Sequence, residues 1–232
     1  MVAINKGVTF TMIKAALFDL DGTLLNRDES VKLFIERQYI RLNKIVGHIP
    51  KEKYVARFIE LDKRGYVWKD KVYQQLIDEF DINELTWEEL LQDYISEFKD
   101  SCIPFPNLIR MLEELKNNNI LLGIITNGYG QFQMNNIKAL GIDKYFDIIL
   151  ISEWEGIKKP DPAIFTNALE KMNVLPIESI FIGDHPENDV NGARKVGMKA
   201  IWKKDMQWDH VDADYIIEEL MELSKIIRNV NN

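Results

Sequence analysis

The sequence predicts an α/β protein: a parallel sheet with helices on both faces, and an all-helical cap domain inserted after the first strand. Two observations predict it. Through the C-terminal half, short apolar β-like runs alternate with segments of helical spacing, the pattern of strands covered on both faces. Between residues 28 and 100 the alternation stops, and four amphipathic stretches follow one another with no convincing strand between them. The expected division is core 1–25, helical cap 26–104 and core 105–232.

Ala15–Phe18 is the first expected strand. In the cap, Ser30–Val46, Lys51–Leu61, Lys69–Phe80 and Thr86–Phe98 read as helices, the last opened by a Thr86/Glu89 capping box. Pro104 and Pro106 mark the return to alternation. Helical spacing over Leu108–Asn118, Gln131–Leu140, Ala163–Met172 and Asn188–Val196 separates the strands Ile120–Thr126, Asp147–Ile151, Ser179–Ile182 and Lys199–Trp202. Gly141 and Gly197 stop two of these helices. In such a sheet, ligands sit beyond the carboxyl ends of the strands.

Composition narrows the function. With 29 Lys+Arg against 37 Asp+Glu the net charge is −8, which disfavours nucleic acid and anionic membranes as partners. Hydrophobic residues at 46% suffice for a core without staples. A lone Cys102 allows no intramolecular disulfide, and no Cys/His spacing resembles a zinc site. Neither a signal peptide nor a membrane-spanning run is present, so the expected address is cytoplasmic, as a monomer or homodimer. Met12 offers a cleaner start than Met1, which makes residues 1–11 a candidate for a dispensable extension or a start-site artefact.

Polar residues gather where a ligand would sit. Asp19 and Asp21 follow the first strand and, two apart in extended chain, face one site, with Gly22 allowing a sharp turn. Thr126-Asn127-Gly128 ends the second strand, offering a hydroxyl and free backbone N–H groups. Lys159 precedes the stiff Pro160-Asp161-Pro162 turn, and Gly183-Asp184 ends the fourth strand with Asp189 five residues on. Four carboxylates opposed by one lysine call for a hard divalent cation, and Mg²⁺ suits oxygen ligands and retained waters. Around such a centre the natural substrate is a phosphoryl group: Asp19 attacks phosphorus, Asp21 protonates the leaving oxygen and then activates water, and Lys159 with Thr126 holds the transferring oxygens.

These four segments, in this order, resemble the haloacid dehalogenase superfamily, in its members with a helical cap after the first motif. Asp19-Leu20-Asp21-Gly22-Thr23 is similar to the D-x-D-G-T signature, Thr126-Asn127-Gly128 to the second motif, Lys159 to the third-motif lysine, and Gly183-Asp184 with Asp189 to the fourth motif. The resemblance implies a Rossmann-like core, a Mg²⁺-dependent phosphatase of small phosphorylated metabolites, and an aspartyl-phosphate on Asp19. It implies metal contacts from Asp19, the main-chain carbonyl of Asp21, and Asp184, with Asp189 close behind. Founding dehalogenases of the superfamily lack the second aspartate, so Asp21 argues for phosphate chemistry. A sugar-phosphate mutase, a 2-haloacid dehalogenase-like hydrolase and a non-catalytic binding protein of the same fold are the alternatives. His185 departs from the small hydroxyl residue the family often places after the aspartate.

Blander roles compete at several positions. Asp184 and Asp189 taken singly read equally as helix caps, with Asn188 able to cap in place of Asp189. His48 and His210 read as surface residues and His185 as a candidate site contact. Trp154, Trp202 and Trp208 read as packing residues, and Cys102 as a small buried or half-buried one. Arg64-Gly65-Tyr66-Val67-Trp68-Lys69 reads first as an interhelical loop with inward-packed aromatics, and second as a contact to a substrate's leaving group.

Overall fold

In the computed structural model, which describes residues 12–231, six parallel strands form one sheet in the order β3-β2-β1-β4-β5-β6. They are β1 (Ala15–Phe18), β2 (Leu121–Thr126), β3 (Ile148–Ile151), β4 (Ser179–Gly183), β5 (Lys199–Lys203) and β6 (Tyr215–Ile217). The proposed dispensability of residues 1–11 falls outside the described residues. The inner strands are apolar because both faces are covered: β1 and β4 are buried along their whole length. Ala15 pairs with Leu121 on one side and Ser179 on the other, which places β1 at the centre and sends β2 and β4 to opposite sides. The chain order reverses there, so a crevice opens at the carboxyl ends of the strands around β1.

Contacts divide the described chain into two units. The first joins the chain up to Leu24 with Phe105–Gln133 and Ile142 onward; the second holds Leu25–Pro104 and Met134–Gly141. In the first, Leu17, Ile125, Ile164, Phe165, Phe181 and Trp202 belong to one buried cluster, and the Phe165 and Phe181 rings meet edge to face at 5.1 Å. Burying a side chain such as Phe181 stabilises by about 1.5–3 kcal/mol. The alternation legible in the sequence ends at Trp202. The structure continues it with the edge strand β6 and with the helix Glu222–Asn231, whose Leu223 and Ile227 are buried at i, i+4 spacing.

The second unit is helical: Arg27–Arg41, Asn43–Val46, Lys51–Asp62, Lys69–Phe80 and Trp87–Glu97. Asn26 caps the first of these, and Thr86 with Glu89 forms the expected capping box, with hydrogen bonds of 3.2 and 2.8 Å. The unit's entry and exit run side by side, since Leu25 pairs with Pro104 and Asn26 N donates to Ile103 O. Inside, Phe34, Tyr94 and Phe98 form one aromatic cluster. Asp62 is buried between Arg27, at 2.8 Å, and Lys69. The inward-packed aromatics expected at 66 and 68 are corrected: Tyr66 and Trp68 are 61% and 60% exposed. Their loop turns through left-handed Lys63 and Arg64, and Arg64 pairs with Asp28. No helix among the described residues is long and apolar enough to cross a membrane.

Candidate active site

The sheet brings the sequence-expected residues to one end. Asp19 leaves β1 with its N–H donating to Ile182 O at 2.8 Å, so the first carboxylate emerges beside the end of β4. Two residues on, the chain turns at Gly22 with φ +81°, a conformation that suits glycine. A Cβ on Gly22 would overlap the Asp184 carboxylate, and one on Gly183 would overlap the Asp189 side chain. Both glycines therefore let backbone and carboxylates crowd together.

Lys159 is the electrostatic hub. Its buried Nζ donates to Asp19 Oδ1 at 2.5 Å and to Asp189 Oδ1 at 2.7 Å. Burial opposes its charge, but Asp189 and Asp19 outweigh that and hold the ammonium well above its usual range. The Asp19 carboxyl is raised to about 7: burial pushes it up most, Lys159 pulls against that, and Asp189 and Asp21 push it up. Asp184 rises well above the ordinary carboxylate range by burial and by its neighbours Asp19 and Asp189.

Oxygens of Asp19, Asp184 and Asp189 lie within 4.8 Å of one another, a cluster that could hold a metal ion. Both oxygens of Asp189 already accept hydrogen bonds, Oδ1 from Lys159 and Oδ2 from His185 N at 2.9 Å. The Asp184 carboxylate has no hydrogen-bond or ion-pair partner among the described residues, although Trp202 Nε1 fixes its main-chain oxygen at 2.8 Å. A converging set of carboxylates, one of them unpartnered and disfavoured as an anion, fits a hard cation with oxygen ligands.

On the other side of β1, the Thr126 hydroxyl is buried and accepts from Gln133 Nε2 at 3.0 Å. The Asn127 side chain spends both polar ends on the backbone of Lys159, each at 2.9 Å. The expected free N–H at Gly128 is corrected: it donates to Ser152 Oγ at 3.0 Å, because the turn after β2 is zipped to the turn after β3. Gln133, Ser152 and Trp202 thus shape the site without belonging to any of the four sequence motifs. None of the three left a signal of this role in the sequence; the burial of Gln133 emerges only in the fold.

His185 caps the π-turn Pro186–Asn191, its Nδ1 accepting from the N–H groups of Glu187 and Asn188 at 3.1 Å each. Capping by Asp184, Asn188 or Asp189 is corrected accordingly. Trp202 is buried as expected, but Trp154 is half exposed and lies against Gly130. His48 and His210 are exposed, and Cys102 is half-buried.

The pattern of the haloacid dehalogenase-like hydrolases matches residues 16–203, and the chain belongs to that family. It is an enzyme of the hydrolase class, and the curated relatives below are phosphatases. A glyceraldehyde 3-phosphate phosphatase of Methanocaldococcus jannaschii is 30% identical over 94% of this chain and 99% of its own length. One from Pyrococcus furiosus is 39% identical over 54% of this chain and 55% of its own. The crystal structure of a HAD phosphatase from Thermococcus onnurineus superposes with a TM-score of 0.66 at 32% identity, covering 93% of this chain and 98% of that one.

Proposed function

We propose that the chain is a Mg²⁺-dependent phosphomonoesterase of small phosphorylated metabolites that carries the phosphoryl group on Asp19. The observation behind this is the placement of a buried carboxylate, Asp19, against a buried ammonium, Lys159, with the unpartnered Asp184 within metal-sharing distance. Asp19, Asp184 and the main-chain carbonyl of Asp21 would hold the ion, with Asp189 behind them orienting Lys159. Bound there, Mg²⁺ supplies positive charge that keeps Asp19 ionised and offsets charge on the phosphoryl oxygens.

The protein's own groups do the rest. An Asp19 carboxylate oxygen attacks phosphorus and the bond to the ester oxygen breaks. Asp21 gives that oxygen its proton, so the alcohol leaves neutral. Asp21 then takes a proton from water, the water oxygen attacks phosphorus, and the Asp19–phosphorus bond breaks to release inorganic phosphate. Lys159 and Thr126 hold the transferring oxygens through both steps.

The relatives named for glyceraldehyde 3-phosphate make short phosphorylated carbon chains the first substrates to try. A net charge of −8 favours a small metabolite over nucleic acid or an anionic membrane as partner. Phosphate release from glyceraldehyde 3-phosphate, 4-nitrophenyl phosphate and a panel of sugar and nucleoside phosphates, with Mg²⁺ and then EDTA, is the test. Release that EDTA stops is expected. Transfer within a sugar, halide release from a 2-haloacid without Mg²⁺, or no turnover by folded protein would each overturn the proposal.

A further inference from the structure

Gln133 sits outside the four motifs, yet its side chain reaches the site from the first turns of the helix Gly130–Ala139. It is 3% exposed, and its Nε2 lies 2.6 Å from Asp21 Oδ2, 3.0 Å from Thr126 Oγ1 and 3.1 Å from Asn127 O. The direction of the amide is dictated by its neighbours. An ionised carboxylate and a backbone carbonyl only accept, so the nitrogen and not the oxygen must face them. One N–H goes to Asp21, and the other is shared between Thr126 Oγ1 and Asn127 O.

We infer that Gln133 is a positioning residue for Asp21: it ties down Oδ2 and thereby makes Oδ1 the atom that carries the proton to the leaving oxygen and later takes one from water. Asp21 Oδ1 has no hydrogen-bond partner among the described residues, whereas Oδ2 has the short bond from Gln133. With Oδ2 accepting an N–H, a proton resting there would collide with the donor, so the acid form is protonated on Oδ1. The same amide couples this orientation to Thr126, so the proton donor and the phosphoryl-binding hydroxyl are set by one side chain. Chemistry then requires that losing the amide hurts most where proton delivery matters most. Alkyl esters have poor leaving groups and need the acid; a nitrophenolate leaves without one.

The test, which rests on the phosphatase reading above, compares kcat/KM for glyceraldehyde 3-phosphate, an alkyl ester, with that for 4-nitrophenyl phosphate. Gln133→Met keeps the length and removes the donor. It should lower kcat/KM for the alkyl ester by about 10- to 100-fold, part of the 10²–10⁴-fold that general acid–base catalysis supplies, and for the aryl ester by less than about 3-fold. Asp21→Asn should give the same alkyl-selective pattern with a larger loss. If Gln133→Met fails to fold, Gln133→Asn keeps a buried amide that falls one methylene short, and the same selective loss is expected. Equal losses on both esters, or none, with an active wild type would overturn the assignment. A wild type inactive on both esters would instead overturn the phosphatase reading itself.

Discussion

Asn127 and Lys159 are joined twice: Lys159 N donates to Asn127 Oδ1, and Asn127 Nδ2 donates to Lys159 O, both at 2.9 Å. A side-chain amide here does what a neighbouring strand would do, pairing with the donor and acceptor of one residue. It fixes the backbone from which the Lys159 ammonium reaches Asp19 and Asp189. Asn127→Ala should therefore act through Lys159. Two part-buried hydrogen bonds at about 1 kcal/mol each predict a stability loss of about 2 kcal/mol. Misplacing the ammonium should lower kcat/KM by about 10²-fold, the scale of losing one charge-stabilising contact. Urea unfolding and phosphate release on the same preparation check both. A variant destabilised but fully active would show that Lys159 does not depend on this anchor.

Gly22 carries a different constraint. Its φ of +81° disfavours any other residue, and a Cβ would overlap the Asp184 carboxylate. Gly22→Ala should displace Asp184, the carboxylate with no hydrogen-bond or ion-pair partner among the described residues, and so weaken metal binding before it weakens the fold. The expected result is an Mg²⁺ requirement raised by about 10-fold or more, on the scale that disturbing groups around metal ligands produces. Titrating activity with Mg²⁺ and following unfolding in EDTA separates the two effects. An unchanged Mg²⁺ dependence would mean that Asp184 can retreat at no cost.

His185 invites a chemical role by its place beside Asp184, yet its Nδ1 is engaged by two backbone N–H groups, which puts the ring proton on Nε2. Loss of this cap in His185→Ala should cost about 1 kcal/mol, and His185→Ser, which restores an acceptor, should regain most of it. Thermal unfolding of the three proteins decides the matter. A serine variant as unstable as the alanine one would remove capping as the reason for the histidine.

The parts of this protein legible in its sequence are those set by local chemistry. Short continuous apolar runs mark β1 to β5, and Thr86 with Glu89 announces a helix start. Asp19 and Asp184 stand out as carboxylates at strand ends, Asp189 by its spacing from Asp184, and Lys159 by the stiff Pro160-Asp161-Pro162 turn that follows it. What was hidden depends on long-range packing. The three-residue strand β6 has no pattern of its own and exists because it pairs with Ile201–Lys203 at the sheet edge. Asn188–Val196 reads as one helix, but the structure begins earlier, at Pro186 behind the His185 cap, as the π-turn Pro186–Asn191 and runs on into the short helix Gly192–Lys195. Gln133 looks like any surface glutamine until the sheet brings Asp21, 112 residues away, to its amide.

Asp62 supplies a prediction about pH. It is buried in the helical unit with Arg27 at 2.8 Å and Lys69 as second partner. Burial alone would raise its pKa, but the two cations outweigh burial and hold the carboxyl below its usual range. Its stabilising contribution is therefore complete above the unfolded-state value, near 3.9, and is lost as pH falls through the lower folded-state value. Replacing Asp62 with alanine removes the shared acceptor of two cations and should cost about 3 kcal/mol at pH 7. The gap between wild type and Asp62→Ala should stay constant from pH 7 to about 5 and shrink as pH falls below about 4, because wild type then loses what the variant never had. Urea unfolding along that series measures it. A gap that stays constant down to pH 3, with both proteins still folding, would show that the carboxylate acts by shape and not by charge.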